Sequence, residues 1–313
     1  FAELWKKKLI YKGLRVSFFS PSNGTPLSNT EVAMENSYLD AEDPSVTVKF
    51  PVKGEDGTFF LAWTTTPWTL PANVALAVHP DAMYVKVRVA DRGETYWFAE
   101  DLTEKVLREF FPLEETDHHF EILEKRAGSG LVGMSYEPPY VLDDATRERL
   151  TGRAGKTLHQ VIAMDYVTIE DGTGIVHTAP AFGEDDFRAS NEHALAVLVT
   201  LDDNGVQLTG VPVVAGMGFL ESNEPIVKDL EARGRLFRSE TVTHSVAVFA
   251  RNNTRLIYKA QDAWYVDVSK LKPKMRKAAA KIDWHPEHIK EGRFGKGIET
   301  APDWCISRSR FWG

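Results

Sequence analysis

Cysteine is almost absent: Cys305 is the only one in 313 residues. No disulfide framework can hold this chain, and its cysteine usage suits a reducing, cytoplasmic setting. Long apolar runs are missing as well. None approaches the roughly 20 residues that a membrane-spanning helix needs, and no secretory leader is recognisable. Internal repeats and low-complexity segments are lacking, which sets aside solenoids and flexible scaffolds. The chain opens at Phe1 rather than Met and stops at Arg310-Phe311-Trp312-Gly313, so both ends read as cut from something longer.

An overall excess of positive charge is also missing. There are 37 Lys/Arg against 45 Asp/Glu, a net charge of −8, which argues against general coating of nucleic acid. The charge is uneven, however. From Arg251 to Gly313, 14 Lys/Arg stand against 7 Asp/Glu, which permits one basic face on a polyanion. What is present is 43% apolar and 11% aromatic residue, enough at this length to bury a sizeable core.

Along the chain, Leu4, Trp5, Leu9, Ile10 and Leu14 have helix-like spacing, which predicts an amphipathic helix ending at Gly13 with Lys6-Lys7-Lys8 on its wet face. A strand follows at 16–20, then a turn-rich stretch, then the acidic Asp40-Ala41-Glu42-Asp43-Pro44, read as a joint between regions. Strands are predicted at 46–50, 58–63, 84–89, 161–164 and 174–177. Helices are predicted at 101–111, 187–198 and 221–234, the last bounded by Pro225 and Gly234. Two strand-like pieces, 256–258 and 264–266, precede a basic run from Lys270 to Lys281 that should be helical after Pro273. That run is either a solvated helix face or a tRNA contact. Many short strands with few helices give a strand-rich α/β class.

Two stretches concentrate chemistry. Gly172-Thr173-Gly174-Ile175-Val176-His177-Thr178-Ala179-Pro180-Ala181-Phe182-Gly183-Glu184-Asp185-Asp186-Phe187 runs from a turn through a short strand into a loop with three acids. Strand ends feeding such loops fix groups and expose them, so His177 and the acids could share a pocket. The alternative is a surface loop with solvated acids and a structural histidine. Trp63-Thr64-Thr65-Thr66-Pro67-Trp68-Thr69-Leu70-Pro71-Ala72-Asn73 carries four threonines among two tryptophans and two prolines. Its prolines predict a stiff extended loop after a strand. Its hydroxyls suit sugar hydroxyls or a water, unless they only satisfy their own backbone in a bulge.

Together these stretches resemble the paired signatures of the editing insertion of isoleucyl-tRNA synthetases. Asp303-Trp304-Cys305-Ile306-Ser307-Arg308-Ser309-Arg310-Phe311-Trp312-Gly313 looks like the point where that family's chain re-enters its catalytic domain. Leu9-Ile10-Tyr11-Lys12-Gly13 and Leu256-Ile257-Tyr258-Lys259-Ala260 fit the flanking linkers. Valyl enzymes usually carry Arg-Pro-Glu where Pro67-Trp68 falls and a lysine where His177 sits. The family's ATP-handling signatures, His-x-Gly-His and Lys-Met-Ser-Lys-Ser, appear nowhere in this chain.

The resemblance implies a β-barrel-like editing domain with peripheral helices over 46–243. It also implies an N-terminal linker at 1–45 and a C-terminal linker at 244–313, the two chain ends forming a small stalk. The implied reaction is hydrolysis of valine from isoleucine tRNA, without aminoacylation and without a cofactor; ATP belongs to the absent catalytic domain. The implied partners are the acceptor end of that tRNA and the catalytic domain of the same synthetase. Asp186 matches the acid that holds the α-ammonium, and His177 the residue lining the side-chain pocket, which either excludes isoleucine or also orients the water. Thr64, Thr65 and Thr66 would hold ribose, ester or water, with Asn73 in support and Thr178, Phe182 and Gly183 lining the pocket. Trp68 stacks on a base or packs in the core, with packing favoured; Glu184 and Asp185 should be solvated. In many relatives the linkers carry two Cys-x-x-Cys pairs that bind zinc. Here those positions read Ser20, Asn23, Phe249 and Asn252, so no structural zinc is expected. With no Gly-x-Ser-x-Gly elbow, no covalent acyl-enzyme is expected either.

Overall fold

The computed structural model describes residues 1–33, 36–108 and 120–308. The chain divides into two compact units, Val16–Ala260 and a smaller one built from both ends, Phe1–Arg15 with Gln261–Gly313. The predicted strand-rich α/β class holds, with a curled half-barrel sheet and peripheral helices.

The larger unit is organised by one ten-stranded sheet. Its strands are β1 (Tyr38–Pro51), β2 (Thr58–Thr64), β3 (Ala75–Val78), β4 (Met83–Val89), β5 (Glu94–Ala99), β6 (Phe120–Ala127), β7 (Gln160–Ala163), β8 (Ile175–Thr178), β9 (Leu236–Phe249) and β10 (Thr254–Arg255). The main path runs β7-β3-β8-β2-β1-β9-β10, and β5 branches from β2 to carry β4 and β6. β3 reads Ala-Leu-Ala-Val and is buried throughout, as a strand covered on both faces should be. Trp97, Tyr84, Tyr96, Tyr136, Phe50 and Phe60 are fully buried in the same core.

Topology places the site. β8 lies between β2 and β3, parallel to β2 through Val176↔Trp63 and antiparallel to β3 through His177↔Leu76. The threonine stretch leaves β2 and enters β3, so it must pass over the end of β8. Gly174 opens β8 with a φ of +71°, and a Cβ there would stand 2.4 Å from Ala99 Cβ, so only glycine fits. Beyond β8 the chain turns into helix α1 (Glu184–Glu192), whose first turn holds Glu184, Asp185 and Asp186. Three acids suit a helix N-terminus, where backbone amides point outward unpaired.

Several expectations are corrected. The first helix is short, Ala2–Lys6, and a strand already begins at Ile10; Ile10 is buried and Tyr11 stacks on Tyr265 with centroids 5.5 Å apart. The acidic 40–44 stretch is no joint but lies inside β1, paired to β9 from Asp40↔Ser245 to Pro44↔Thr241. Pro44 is tolerated there because β2 pairs with β1 only from Val46 on, leaving its other side without a ladder. Asp43 within it takes His244 Nε2 and Arg255 Nη1, both at 2.7 Å, and these hydrogen bonds hold its carboxyl below the usual range against the opposing effect of burial. The threonine loop is not extended: Pro67–Ala72 forms a 3₁₀ helix with Pro67 in its first turn, where a missing N–H costs nothing.

The helix expected at 187–198 starts earlier and stops at Glu192. Ala194 then adopts a φ of +52°, and Val197–Leu198 is extended. The pieces at 256–258 and 264–266 belong to one strand, Ile257–Val266. The helix expected at 101–111 is a 3₁₀ turn followed by Thr103–Arg108, and its remainder lies outside the described residues. The helices Asn223–Ala232 and Lys272–Ala279 match expectation. Among the described residues, no helix is long and apolar enough to cross a membrane.

Candidate functional site

At the common end of β2, β3 and β8, the threonine stretch is stitched to His177 by a continuous hydrogen-bond chain. Asn73 Nδ2 donates to His177 Nδ1 at 2.8 Å and to the Ala75 carbonyl at 3.1 Å, while Asn73 Oδ1 accepts from the Tyr136 hydroxyl at 2.7 Å. A carbonyl can only accept, so the amide orientation is fixed and His177 Nδ1 must be the acceptor. The ring proton therefore sits on Nε2, which donates to Thr69 Oγ1 at 3.1 Å. Thr69 passes its own proton to the Thr66 carbonyl at 2.8 Å. Thr66 Oγ1 stands 3.4 Å from Thr69 Oγ1 and 3.1 Å from Thr64 Oγ1, and the Thr66 amide donates to Thr64 Oγ1 at 3.1 Å.

This chain leaves neither ring nitrogen of His177 free. Burial lowers the pKa of His177 to about 4, so the imidazole is neutral at physiological pH. As a rigid neutral ring it can shape a pocket wall. It is poorly placed to take a proton from water.

Asp186 is in a different state. Its Oδ2 accepts from the Ala179 amide at 2.8 Å and its Oδ1 from the Tyr166 hydroxyl at 3.2 Å. Burial raises its pKa from 3.8 to about 6 despite these two donors. Gly183 makes room for it, since a Cβ there would stand 3.2 Å from the carboxyl carbon. A carboxylate offers about four acceptor positions, and two are used here. Asp186 can therefore receive further donors, as a ligand ammonium would supply. Glu184 and Asp185 are exposed.

The remaining predicted residues separate by face. Thr64 and Thr66 join the His177 chain, whereas Thr65 lines a pocket of about 460 Å³ together with Trp63, Gly172, Thr173, Lys105 and His244. Of these, only Trp63 and Thr64 belong to β2, where neighbouring side chains point to opposite faces; Thr65 and Thr66 lie beyond its end. Trp68 is buried edge-on against Phe182 and Phe219, with centroids 5.0 and 5.5 Å apart. Its backbone N–H donates to Asn223 Oδ1 and its carbonyl accepts from Gln207 Nε2, so it packs in the interior. Thr178 is fully buried, and its carbonyl accepts from the Val74 amide at 3.1 Å, closing the two stretches on each other. Tyr136 and Tyr166 were not singled out from the sequence. Each is a lone tyrosine outside both signatures, and only the fold brings their hydroxyls to Asn73 and Asp186.

The positions matched to paired cysteines are joined by hydrogen bonds. Asn23 Nδ2 donates to Ser20 Oγ at 2.8 Å, and Ser22 Oγ lies 2.7 Å from Thr254 Oγ1, which donates to Asn252 Oδ1 at 2.7 Å. Hydroxyls, amides and the Phe249 ring do not fit zinc, which takes thiolate, imidazole or carboxylate. Among the described residues, no group of three His, Cys, Asp or Glu is arranged to hold a metal ion.

Residues 1–313 match the family described as tRNA synthetases class I (I, L, M and V). The isoleucine–tRNA ligase of Corynebacterium diphtheriae is 42% identical over 331 aligned residues, covering all of this chain and 30% of that protein. That of Chlamydia trachomatis is 41% identical over 315 residues, covering all of this chain and 29% of that protein. The chain thus spans about 30% of the length of these relatives. Among solved structures, the editing domain of the P. falciparum cytosolic leucyl-tRNA synthetase has a TM-score of 0.45 at 11% identity, covering 63% of this chain and 99% of that one. The corresponding P. knowlesi domain has a TM-score of 0.46 at 12% identity, covering 65% and 98%.

Proposed function

This chain belongs to the class I tRNA synthetases of the isoleucine, leucine, methionine and valine group, and on that basis we propose that it is the proofreading portion of an isoleucyl enzyme. The reaction is hydrolysis of the ester in valine-charged isoleucine tRNA. Water adds to the acyl carbon, the bond to the ribose oxygen breaks with a proton delivered to that oxygen, and valine and tRNA leave. Residues 46–243 would form the editing domain, with 1–45 and 244–313 as linkers to the synthetic half. No metal or other cofactor is assigned to the step, and the setting is taken as cytoplasmic.

The observation that carries this reading is the contrast at the end of β8. A locked neutral imidazole stands there, and Ala179, two residues on, holds a half-buried carboxylate with acceptor positions to spare. Asp186 would receive the α-ammonium through short charge-assisted hydrogen bonds. His177 would wall the side-chain pocket, admitting valine and obstructing isoleucine. A synthetic pocket discriminates against a side chain one methylene smaller by only about 1–3 kcal/mol, a general figure for which isoleucine against valine is itself the standard example. A second, hydrolytic sieve is the remedy. Thr66 and the free hydroxyl of the terminal ribose would orient the water.

The test is release of amino acid from Val-tRNA and Ile-tRNA, both built on isoleucine tRNA, with and without Asp186→Ala. Loss of valine alone, removed by the substitution, supports the reading. Binding without release would instead make the chain a passive module for the tRNA end. Loss of both amino acids would retain the hydrolase and remove the sieve from His177. Release from Thr-tRNA in place of Val-tRNA would point to a valyl-type editing domain, against which His177 argues.

A further inference from the structure

Tyr166 lies outside both signature stretches, in the connection between β7 and β8. Its hydroxyl donates to Asp186 Oδ1 at 3.2 Å, while the Ala179 amide holds Oδ2 at 2.8 Å. The two donors come from separate segments and meet opposite oxygens, so together they set the plane of the carboxylate. The Tyr166 ring is itself held. The guanidinium of Arg188 stands 5.8 Å from its centroid, and Arg188 is tied to Asp165 at 2.8 Å and to Asp185 at 3.5 Å.

We propose that Tyr166 is a positioning residue for Asp186, whose hydroxyl, acting with the Ala179 amide, fixes the carboxylate plane and holds it as an anion toward the ligand's amino group. The ligand rests on the editing reading, while the hold on Asp186 does not. A tyrosine suits the task because it gives one hydrogen bond without bringing a charge. A lysine there would neutralise Asp186 and compete with the ammonium it has to receive. The charged groups about Asp186 are few. Asp185 and Arg188 come from α1 and Asp165 from the β7–β8 connection, and on the strand Ile257–Val266 the uncharged Tyr258 senses Glu184 and Asp185. Arg188 is occupied by two carboxylates, which leaves Tyr166 and Ala179 as the donors that favour the anion.

The decisive variant is Tyr166→Phe, which keeps the ring under Arg188 and removes only the hydroxyl. The titration midpoint of the Asp186 carboxyl, followed by carbon-13 NMR with Asp186→Asn to assign the signal, should move upward by about one pH unit. The acid limb of Val-tRNA deacylation should move with it, and KM should rise more than kcat falls. In the unaltered protein, the Tyr166 ring carbon bearing the hydroxyl should inflect at the Asp186 midpoint, a readout that stands even if the variant fails to fold. An unchanged Asp186 midpoint in Tyr166→Phe, or a flat Tyr166 signal in the unaltered protein, overturns the proposal. If the unaltered chain releases no valine, the editing reading fails, and the two NMR titrations still decide for or against Tyr166.

Discussion

His177 and Asp186 are nine residues apart, the first buried and the second half-buried, and they answer the loss of solvation in opposite ways. His177 gives up its charge and spends both ring nitrogens on protein partners. Asp186 receives one donor on each oxygen and is left short of solvation. The fold completes the first group and leaves the second incomplete. An incomplete, half-buried carboxylate costs stability, and a ligand ammonium is the kind of group that would relieve the cost. On the editing reading, the comparison divides specificity from affinity: a finished, immobile wall on one side, an unfinished acceptor on the other.

The largest effect should come from removing the acceptor. Asp186→Asn keeps the shape and discards the charge, so release of valine should fall on the order of 100-fold, the worth of a charge-assisted hydrogen bond. The same change should stabilise the protein. The Asp186 pKa rises from 3.8 to about 6 on folding, so the folded state holds a proton in that window that the unfolded chain has released. Stability therefore falls as pH rises through the window, and the full penalty is present above it. Asp186→Asn should recover up to about 3 kcal/mol near neutral pH and nothing below pH 4. Urea unfolding at the two pH values checks this. No gain near neutrality would mean that the carboxylate is well solvated and the comparison false.

Breaking the finished side should do the reverse, costing stability. Asn73→Ala leaves the Tyr136 hydroxyl and His177 Nδ1 buried and without the partner they now have. At about 1–3 kcal/mol for each of the two stranded groups, a loss of about 2–6 kcal/mol is expected. Thermal unfolding reads it directly. Deacylation should lose selectivity against isoleucine as the ring comes loose, while retaining dependence on Asp186.

The pH response sharpens the contrast. The folded-state pKa of His177 drops from 6.5 to about 4, so its contribution to stability is present above 6.5 and lost as pH falls through 4. Asp186 contributes with the opposite sign over nearly the same window, so each partly masks the other. Asp186→Asn should therefore make unfolding more steeply acid-sensitive between pH 6 and 4, although it raises stability at neutrality. Activity should show an acid limb near pH 6 from Asp186 and none from His177. An acid limb that survives Asp186→Asn would assign the titration to another group.

Much of this was legible in the chain, and the reason lies in which interactions are local. The 46–50 and 84–89 strands announce themselves by alternation, 58–63 by a short continuous apolar run, and the two signature stretches are contiguous. The helix from Asn223 carried its own proline and glycine punctuation. What stayed hidden depends on distant partners. Asp40-Ala41-Glu42-Asp43-Pro44 looks like a linker until His244 and Arg255 arrive to hold Asp43. Tyr136 lies 63 residues from Asn73, and Tyr166 is 20 from Asp186, with no spacing rule joining them. Pro67 and Pro71 exclude an α-helix but not the short 3₁₀ turn that delivers Thr69 to His177.

The smallest effect belongs to a network of similar appearance and different burial. Ser22 and Asn252 are exposed, yet Ser22, Thr254 and Asn252 are linked by hydrogen bonds as short as those around His177. Distance alone would rank the two networks as equals. Burial ranks them far apart, because water can replace a lost partner at Ser22 and cannot at Asn73. Ser22→Ala should cost no more than about 1 kcal/mol in urea unfolding and leave release of valine unchanged. A loss as large as that of Asn73→Ala would mean that these two turns clamp the fold through their hydroxyls. The finished network around His177 would then owe its strength to geometry rather than to the exclusion of water.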